Sequence, residues 1–370
     1  MEACRLRQGP LRLPSRHPVG RKRACLSYIS GPFRGRLTGM HSNELEVLEM
    51  ASVLDEMGMD VDVMDYNSTW RGDPSRWDLM VGFGGLYEES CKIGFPGQHR
   101  VLYHTGAYLP FQNMSEMARV DDFQRRHGVR LRPRRVVDAY GPASHHLSDA
   151  IILVGNEWTA STYQSVIRPV STINPTTNAY WRGPRLSPPA SRRGILWSGG
   201  SGCLHKGLDL VLDAFASMPA GWDLHICGDN DAAEPDFWAY YHNLPKNVHR
   251  HGWLGPASSQ MRTVLDACTF IVLPSCCEGM ATSVLAGMAC GLVPLVSRQS
   301  GIDVDGLGIL IEGLDVPSVE VALHAATNLP AEQLMALTTA CLQRVHERHE
   351  LAVFRRRFAE LIALHLPSVG

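Results

Sequence analysis

The chain has 370 residues, 45% of them hydrophobic and 19% charged, with a formal net charge of −2. These values suit two globular domains of ordinary size, each able to bury its own core. No run approaches the ~18 uninterrupted apolar residues of a membrane-spanning helix, and the ten scattered cysteines, with no Cys-x-x-Cys pair, fit reduced thiols in a cytoplasmic protein.

The charge is uneven along the chain. Residues 1–23 carry Arg5, Arg7, Arg12, Arg16, Arg21, Lys22 and Arg23 against Glu2, which leaves −8 for the remainder. With Gly9, Pro10, Pro14 and Pro18 interspersed, this stretch reads as a disordered tail. It lacks the apolar core of a secretory signal, and its charge leaves contact with an anionic membrane or nucleic acid open as an alternative for this tail. A first strand is expected over 24–29, followed by a glycine-rich loop (Gly31, Gly35, Gly39). A helix near Asn43–Met57 stops at Gly58, and a strand around Val61 and Val63 completes a βαβ unit. Further strands are expected at 78–83, at 100–103 leading into His104, and at 150–154. The mixed basic stretch Arg119–Arg135 reads as a solvated helix face, with contact to an anionic acceptor as the alternative.

Pro169, Pro175, Pro184, Pro188 and Pro189 interrupt regular structure and place a linker at 176–191. A second strand–helix series follows, with strands at 194–198, 222–227, 270–273, 293–297 and 310–311 and helices at 208–218 and 258–267. From Pro330 to Leu366 apolar residues recur at helical spacing, and Phe354, Phe358 and Leu361 fall on one face. The fold class is therefore α/β, with two doubly wound Rossmann-like domains facing a cleft: 24–175, then 192–350, with 351–370 as a C-terminal helix placed against the first domain. Ligands in such sheets bind at the carboxyl ends of the strands.

Two such ends carry chemistry. Trp197-Ser198-Gly199-Gly200-Ser201-Gly202-Cys203-Leu204-His205-Lys206-Gly207-Leu208-Asp209 runs from a strand into glycines, then a lysine, then a helix. Glycines admit a ligand close to the backbone, and lysine is a point charge suited to a diphosphate. The P-loop spacing is absent, and so is the Gly-x-Gly-x-x-Gly pattern of dinucleotide enzymes. Glu278-Gly279-Met280-Ala281-Thr282-Ser283 follows the apolar run 270–273 and opens a helix, where free N–H groups favour an anion. Gly228 ends the 222–227 strand. Trp253 reads as a packed aromatic, with contact to a base as the alternative, and Asp209 as a structural cap or pair.

The Glu278 segment, with Gly291 and Pro294 behind it, resembles the donor-site signature of the retaining GT-B glycosyltransferases of group 1 (the GT4 family). Lys206, Gly207 and Asp209 resemble the same family's lysine motif. Ala286 stands where the family has a second glutamate, and Ser201 where it has an arginine. The resemblance implies transfer of a hexose-like sugar, with retention, from a nucleotide-diphosphate sugar to a glycan, lipid-linked or other hydroxyl acceptor, in polysaccharide or cell-envelope glycan synthesis. It implies catalytic roles for Glu278, Lys206 and His104. Donor contacts are implied at Gly199, Gly200, Ser201, Gly202, Gly228, Gly279, Met280, Ala281 and Thr282.

On the acceptor side the resemblance places His41, which also reads as a helix-start polar residue. Neither a cofactor nor a metal is expected, although Asp60-Val-Asp62, Asp303-Val-Asp305 and Asp229-Asn-Asp231 have the Asp-x-Asp form. Nucleic acid is not an expected partner, and peripheral contact with the inner face of a membrane stays open. The substitutions at Ser201 and Ala286 keep a degenerate nucleotide-sugar-binding protein as an alternative, and a GT-B sugar epimerase is a second.

Overall fold

The computed structural model describes residues 9–14, 22–39, 41–137, 143–177, 189–228 and 234–366. Its contacts divide the chain into two compact units. One comprises Met1–Ala107, Val137–Thr176 and Glu350–Gly370, the other Tyr108–Val136 and Thr177–His349.

The first unit is built on β1 (Leu11–Arg12), β2 (Arg23–Tyr28), β3 (Asp60–Asp65), β4 (Leu79–Gly82), β5 (His99–His104), β6 (Ala150–Val154) and β7 (Val170–Ile173). These form one sheet in the order β1-β3-β2-β4-β5-β6-β7, parallel except for the antiparallel β1–β3 edge. The central strands are buried along almost their whole length because helices cover both faces of a parallel sheet. Those helices are α1 (Asn43–Glu56), α2 (Gly85–Ile93), α4 (Ala143–Leu147), α5 (Glu157–Ser161) and α12 (Leu351–His365), while α3 (Leu109–His127) packs with the second unit.

Two expectations are corrected in this unit. The basic tail is ordered in part: Leu11 pairs with Val63 and Arg12 with Asp62, and the Arg12 guanidinium bonds Asp60. A short edge strand with a charge pair suffices here, whereas residues 1–8 and 15–21 lie outside the described residues. The proline-rich region also holds β7. Pro169 and Pro175 flank that strand without entering it, and it lies at the sheet edge where proline neighbours are tolerated. Of the expected linker, residues 178–188 lie outside the described residues. At the C-terminus, Phe354, Phe358 and Leu361 are buried on one face of α12, and Arg355 on the same helix bonds Glu49 and Glu56 of α1.

The second unit contains β8 (Gly194–Ser198), β9 (Asp223–Cys227), β10 (Val248–Gly252), β11 (Cys268–Leu273), β12 (Val293–Ser297) and β13 (Ile309–Ile311), all parallel, in the order β10-β9-β8-β11-β12-β13. Its helices in chain order are α6 (Leu208–Phe215), α7 (Pro235–Tyr240), α8 (Ser259–Ala267), α9 (Thr282–Ala289), α10 (Val316–Thr327) and α11 (Ala331–Arg348). Ser258 caps α8 by accepting the Met261 N–H at 3.1 Å. The central strands β8 and β11 carry apolar residues buried to 0–1% exposure, as a strand covered on both faces requires.

The stretch Arg119–Arg135 is solvated on one side only: Arg125, Arg130 and Arg132 are exposed, whereas the opposite side is buried. Val120, Phe123 and Leu131 join the core of the second unit. Arg119 is 3% exposed and donates to Asp209 at 2.6 Å, and Arg126 bonds both Asp209 and Asp213. Asp209 is fully buried, so its structural reading as a pairing residue stands on geometry. Alternating arginines and apolar residues concealed this burial, because long arginine stems pack against a core while their heads find carboxylates. Trp253 is also corrected: it is 53% exposed just past β10 rather than packed.

Among the described residues, no helix is long and apolar enough to cross a membrane. The nine described cysteines are buried and free of disulfides.

Candidate active site

The site is assembled where β8 and β11, neighbours at the centre of the second sheet, end side by side. After β8 the chain enters Gly199–Gly202 and turns through Gly207, whose φ of +66° starts α6. A Cβ at Gly207 would lie 2.3 Å from the Pro274 carbonyl oxygen, so only glycine allows the two loops to meet. They are then fastened by hydrogen bonds, Cys276 N–H to the His205 carbonyl at 2.8 Å and Ser275 Oγ to the same carbonyl at 3.1 Å, while Trp197 Nε1 of β8 holds the Lys206 carbonyl at 3.2 Å within the first loop.

This fastening brings Lys206 and Glu278 together across 72 residues of sequence. The lysine Nζ forms an ion pair with Glu278 Oε1, which also accepts from Ser275 Oγ at 3.0 Å. Both side chains are largely enclosed, 14% and 13% exposed. Burial alone would raise the Glu278 carboxyl, but Lys206, His205 and Arg135 outweigh it and hold the group at about 2. Glu278 is therefore ionised at neutral pH.

Beside this pair lies a second one that the sequence did not disclose. His205, 1% exposed, has Nδ1 2.9 Å from Glu116 Oε2, while its Nε2 faces the Cys277 carbonyl. Both nitrogens thus face oxygen acceptors, which fixes the ring in place. Glu116 comes from α3, and its other oxygen accepts from the Arg134 N–H at 2.6 Å and the Arg135 N–H at 3.2 Å. Desolvation works to raise the Glu116 carboxyl, yet the hydrogen bonds from His205 and Arg134 prevail and lower it.

The glycine loop divides into occupied and available amides. Gly202 and Cys203 donate to the buried carboxylate of Glu234, and Gly199 donates to the Cys227 carbonyl at 3.0 Å. The amides of Gly200 and Ser201 have no such partner among the described residues, which makes them the loop's available donors. Gly228 meets a steric need, since a Cβ there would fall 1.6 Å from the Gly199 carbonyl oxygen. At the second strand end, Glu278 N–H and Ala281 N–H bond the carbonyls of Gln299 and Ser300. Gly279 is buried and Met280 partly buried, and Thr282 opens α9 exposed to solvent. The amides of Thr282 and Ser283 have no partner among the described residues, as expected of a helix start. Ala286 is buried in the core, 4% exposed.

His104 and His41 belong to the first unit. His104 ends β5, with Nδ1 2.8 Å from the Gly106 carbonyl and 2.7 Å from the Tyr163 hydroxyl. Burial drives its imidazole down to about 4 despite the Gly106 hydrogen bond, so the ring is neutral at pH 7. His41 is exposed, immediately before the Ser42 cap of α1.

Among the described residues, no group of three or more His, Cys, Asp or Glu side chains is arranged to hold a metal ion. The Asp229-Asn-Asp231 pair lies outside the described residues.

Residues 192–327 match the family described as glycosyl transferases group 1. No curated protein sequence matches the chain significantly. Among solved structures, sucrose-phosphate synthase from Thermosynechococcus elongatus aligns with a TM-score of 0.65 at 15% identity, over 93% of this chain and 99% of that one. HepE of Anabaena, solved in complex with UDP and glucose, aligns with a TM-score of 0.61 at 13% identity, over 93% and 100%. WaaG, a glycosyltransferase involved in lipopolysaccharide biosynthesis, gives 0.55 at 15% identity, over 94% and 100%. These likenesses establish the architecture as that of the GT-B glycosyltransferases, two Rossmann-like units each built on a parallel sheet. Within it, the segment holding Lys206 and Glu278 is the part that matches the group 1 glycosyltransferase family.

Proposed function

We propose that the chain is a retaining glycosyltransferase that moves a hexose-like unit from a nucleoside-diphosphate sugar to a hydroxyl acceptor, in polysaccharide or cell-envelope glycan synthesis. The observation that carries this reading is the Lys206–Glu278 pair set between the glycine loop and the start of α9. Heterolysis of the anomeric bond builds positive charge on the sugar and negative charge on the leaving diphosphate. Lys206, the Gly200 and Ser201 amides and the N-terminus of α9 are the groups that would stabilise the latter, and preorganised donors of this kind supply about 3 kcal/mol each. Glu278, held ionised, would orient sugar hydroxyls and balance the developing cation. The neutral His104 can exchange hydrogen bonds with a sugar oxygen without adding charge, and His41 is the acceptor-side candidate. The chemistry needs no resident cofactor or metal, since Lys206 and helix dipoles supply the counter-charge.

The test is transfer itself. Purified protein is incubated with UDP-, GDP- and ADP-sugars and a panel of glycan and lipid-linked acceptors, and the anomeric configuration of any product is read by NMR. A retained linkage that disappears in Glu278→Gln supports the reading, and an inverted linkage overturns retention. One observation favours a second reading, a nucleotide-sugar-binding protein without transfer: the Glu234 carboxylate sits on loop amides that a ligand would otherwise use. That reading expects donor binding with no product for any acceptor.

A further inference from the structure

We infer that Arg135 is a ligand-binding residue of this site, contacting the phosphates of the donor from the side of the glycine loop. The inference rests on the donor-site reading above.

Most polar groups around the loop have a partner. Lys206 is committed to Glu278, and His205 to Glu116. Glu234 is held by the amides of Gly202 and Cys203. The guanidinium groups of Arg134 and Arg135 make no ion pair or hydrogen bond among the described residues, and of the two it is Arg135 whose Nε is buried without a partner. A buried donor left unsatisfied is costly unless a ligand completes it.

The side chain is nevertheless directed to a specific place. A Cβ built on Gly202 would lie 2.8 Å from Arg135 Cγ and 3.1 Å from its Cδ, so the stem lies along the glycine loop. Glu278 feels its charge as a stabilising one, after those of Lys206 and His205. The backbone beneath it is fixed from both directions: its N–H is held by Glu116 at 3.2 Å and its carbonyl by Gln112 Nε2 at 2.7 Å. A partly buried guanidinium on a stem that lies along the glycine loop is a fork that suits a phosphate. Ser201, the loop's own side chain at this point, brings no charge.

The chain order hid this residue. Arg135 precedes the loop it serves by more than 60 positions and arrives on the segment after α3, within a run of arginines that reads as surface.

The test is isothermal titration of the full chain with UDP, GDP, ADP and inorganic pyrophosphate, for wild type, Arg135→Ala, Arg135→Lys and Lys206→Ala, each melted in parallel. Arg135→Ala is expected to lose tenfold or more in affinity for the diphosphate that binds, with an unchanged melting temperature because no partner is lost. Arg135→Lys should recover part of the affinity, and Ser201→Arg in the Arg135→Ala background should restore a cation on the loop and tighten binding again. Wild-type affinity in Arg135→Ala, with binding lost in Lys206→Ala, overturns the Arg135 assignment and leaves the donor site standing. A melting temperature lowered by several degrees in Arg135→Ala overturns it in favour of a structural role. If the wild type binds none of the four probes, both the donor-site reading and the Arg135 assignment fall.

Discussion

The strand ends of the two sheets solve the same packing problem with different chemistry. In the first unit the end of β5 is closed by neutral groups, with the His104 ring, the Tyr163 hydroxyl and the Gly106 carbonyl in mutual contact. In the second unit the ends of β8 and β11 are closed by charge: Lys206 on Glu278, the Glu116 carboxylate beside His205, and behind them Arg119 on Asp209. Neutral closure is cheap to desolvate and gives an orienting surface. Charged closure is costly to desolvate, and each pair must be kept whole. A site that has to receive a polyanion needs cations already in place, which is a reason for the second unit to carry that cost.

The contrast can be broken at its most buried point. Asp209→Ala should destabilise the protein by about 1–3 kcal/mol, because it removes the buried carboxylate from Arg119 and leaves that guanidinium paired with Asp122 alone; urea unfolding measures it, and no measurable loss would show that the buried pair does not hold the second unit together. At the Lys206 pair, Glu278→Gln should lower turnover by roughly 10²–10³ while freeing Lys206, so that nucleotide affinity stays level or rises. A parallel fall in affinity would mean that the pair serves to hold the lysine in position.

A pH titration reaches both units. The His104 imidazole is pushed down to about 4, chiefly by burial, and so is that of His225, where the like charges of His251 and His249 act in the same direction. A histidine whose folded value lies below its unfolded one contributes stability that is full above about 6.5 and is lost as pH falls towards 4. Stability should therefore decline across that window, and His104→Gln should flatten part of the decline. An unchanged acid limb in that variant would show that the ring is already charged in the folded state. Smallest of all, Tyr163→Phe removes the neutral hydroxyl that meets His104 and Gly106 and should cost about 1 kcal/mol, visible as a small shift in thermal unfolding.

What the sequence disclosed follows from how local each feature is. The strands leading to Lys206 and Glu278, the glycines between them and the helix start at Thr282 are written in consecutive residues, and each appears where periodicity and glycine placement put it. Glu234 lies 31 positions from Cys203, Glu116 89 from His205 and Arg135 143 from Glu278, and no local pattern marks them. The arginines of α3 misled for a physical reason: composition records their charge but not the aspartates that receive it. Leu11 and Arg12 were hidden in the opposite way, since two residues are too few for any periodicity to register.

The central claim, a nucleoside-diphosphate site built on Lys206, is tested most directly by thermal unfolding of the wild type and Lys206→Ala in the presence of UDP, GDP, ADP and TDP. A ligand at about 100 times its dissociation constant adds ~2.7 kcal/mol to the stability of the fold. The prediction is that one nucleotide stabilises the wild type selectively and that the lysine variant loses that stabilisation. Equal stabilisation of both proteins, or no response of the wild type to any of the four, would contradict it.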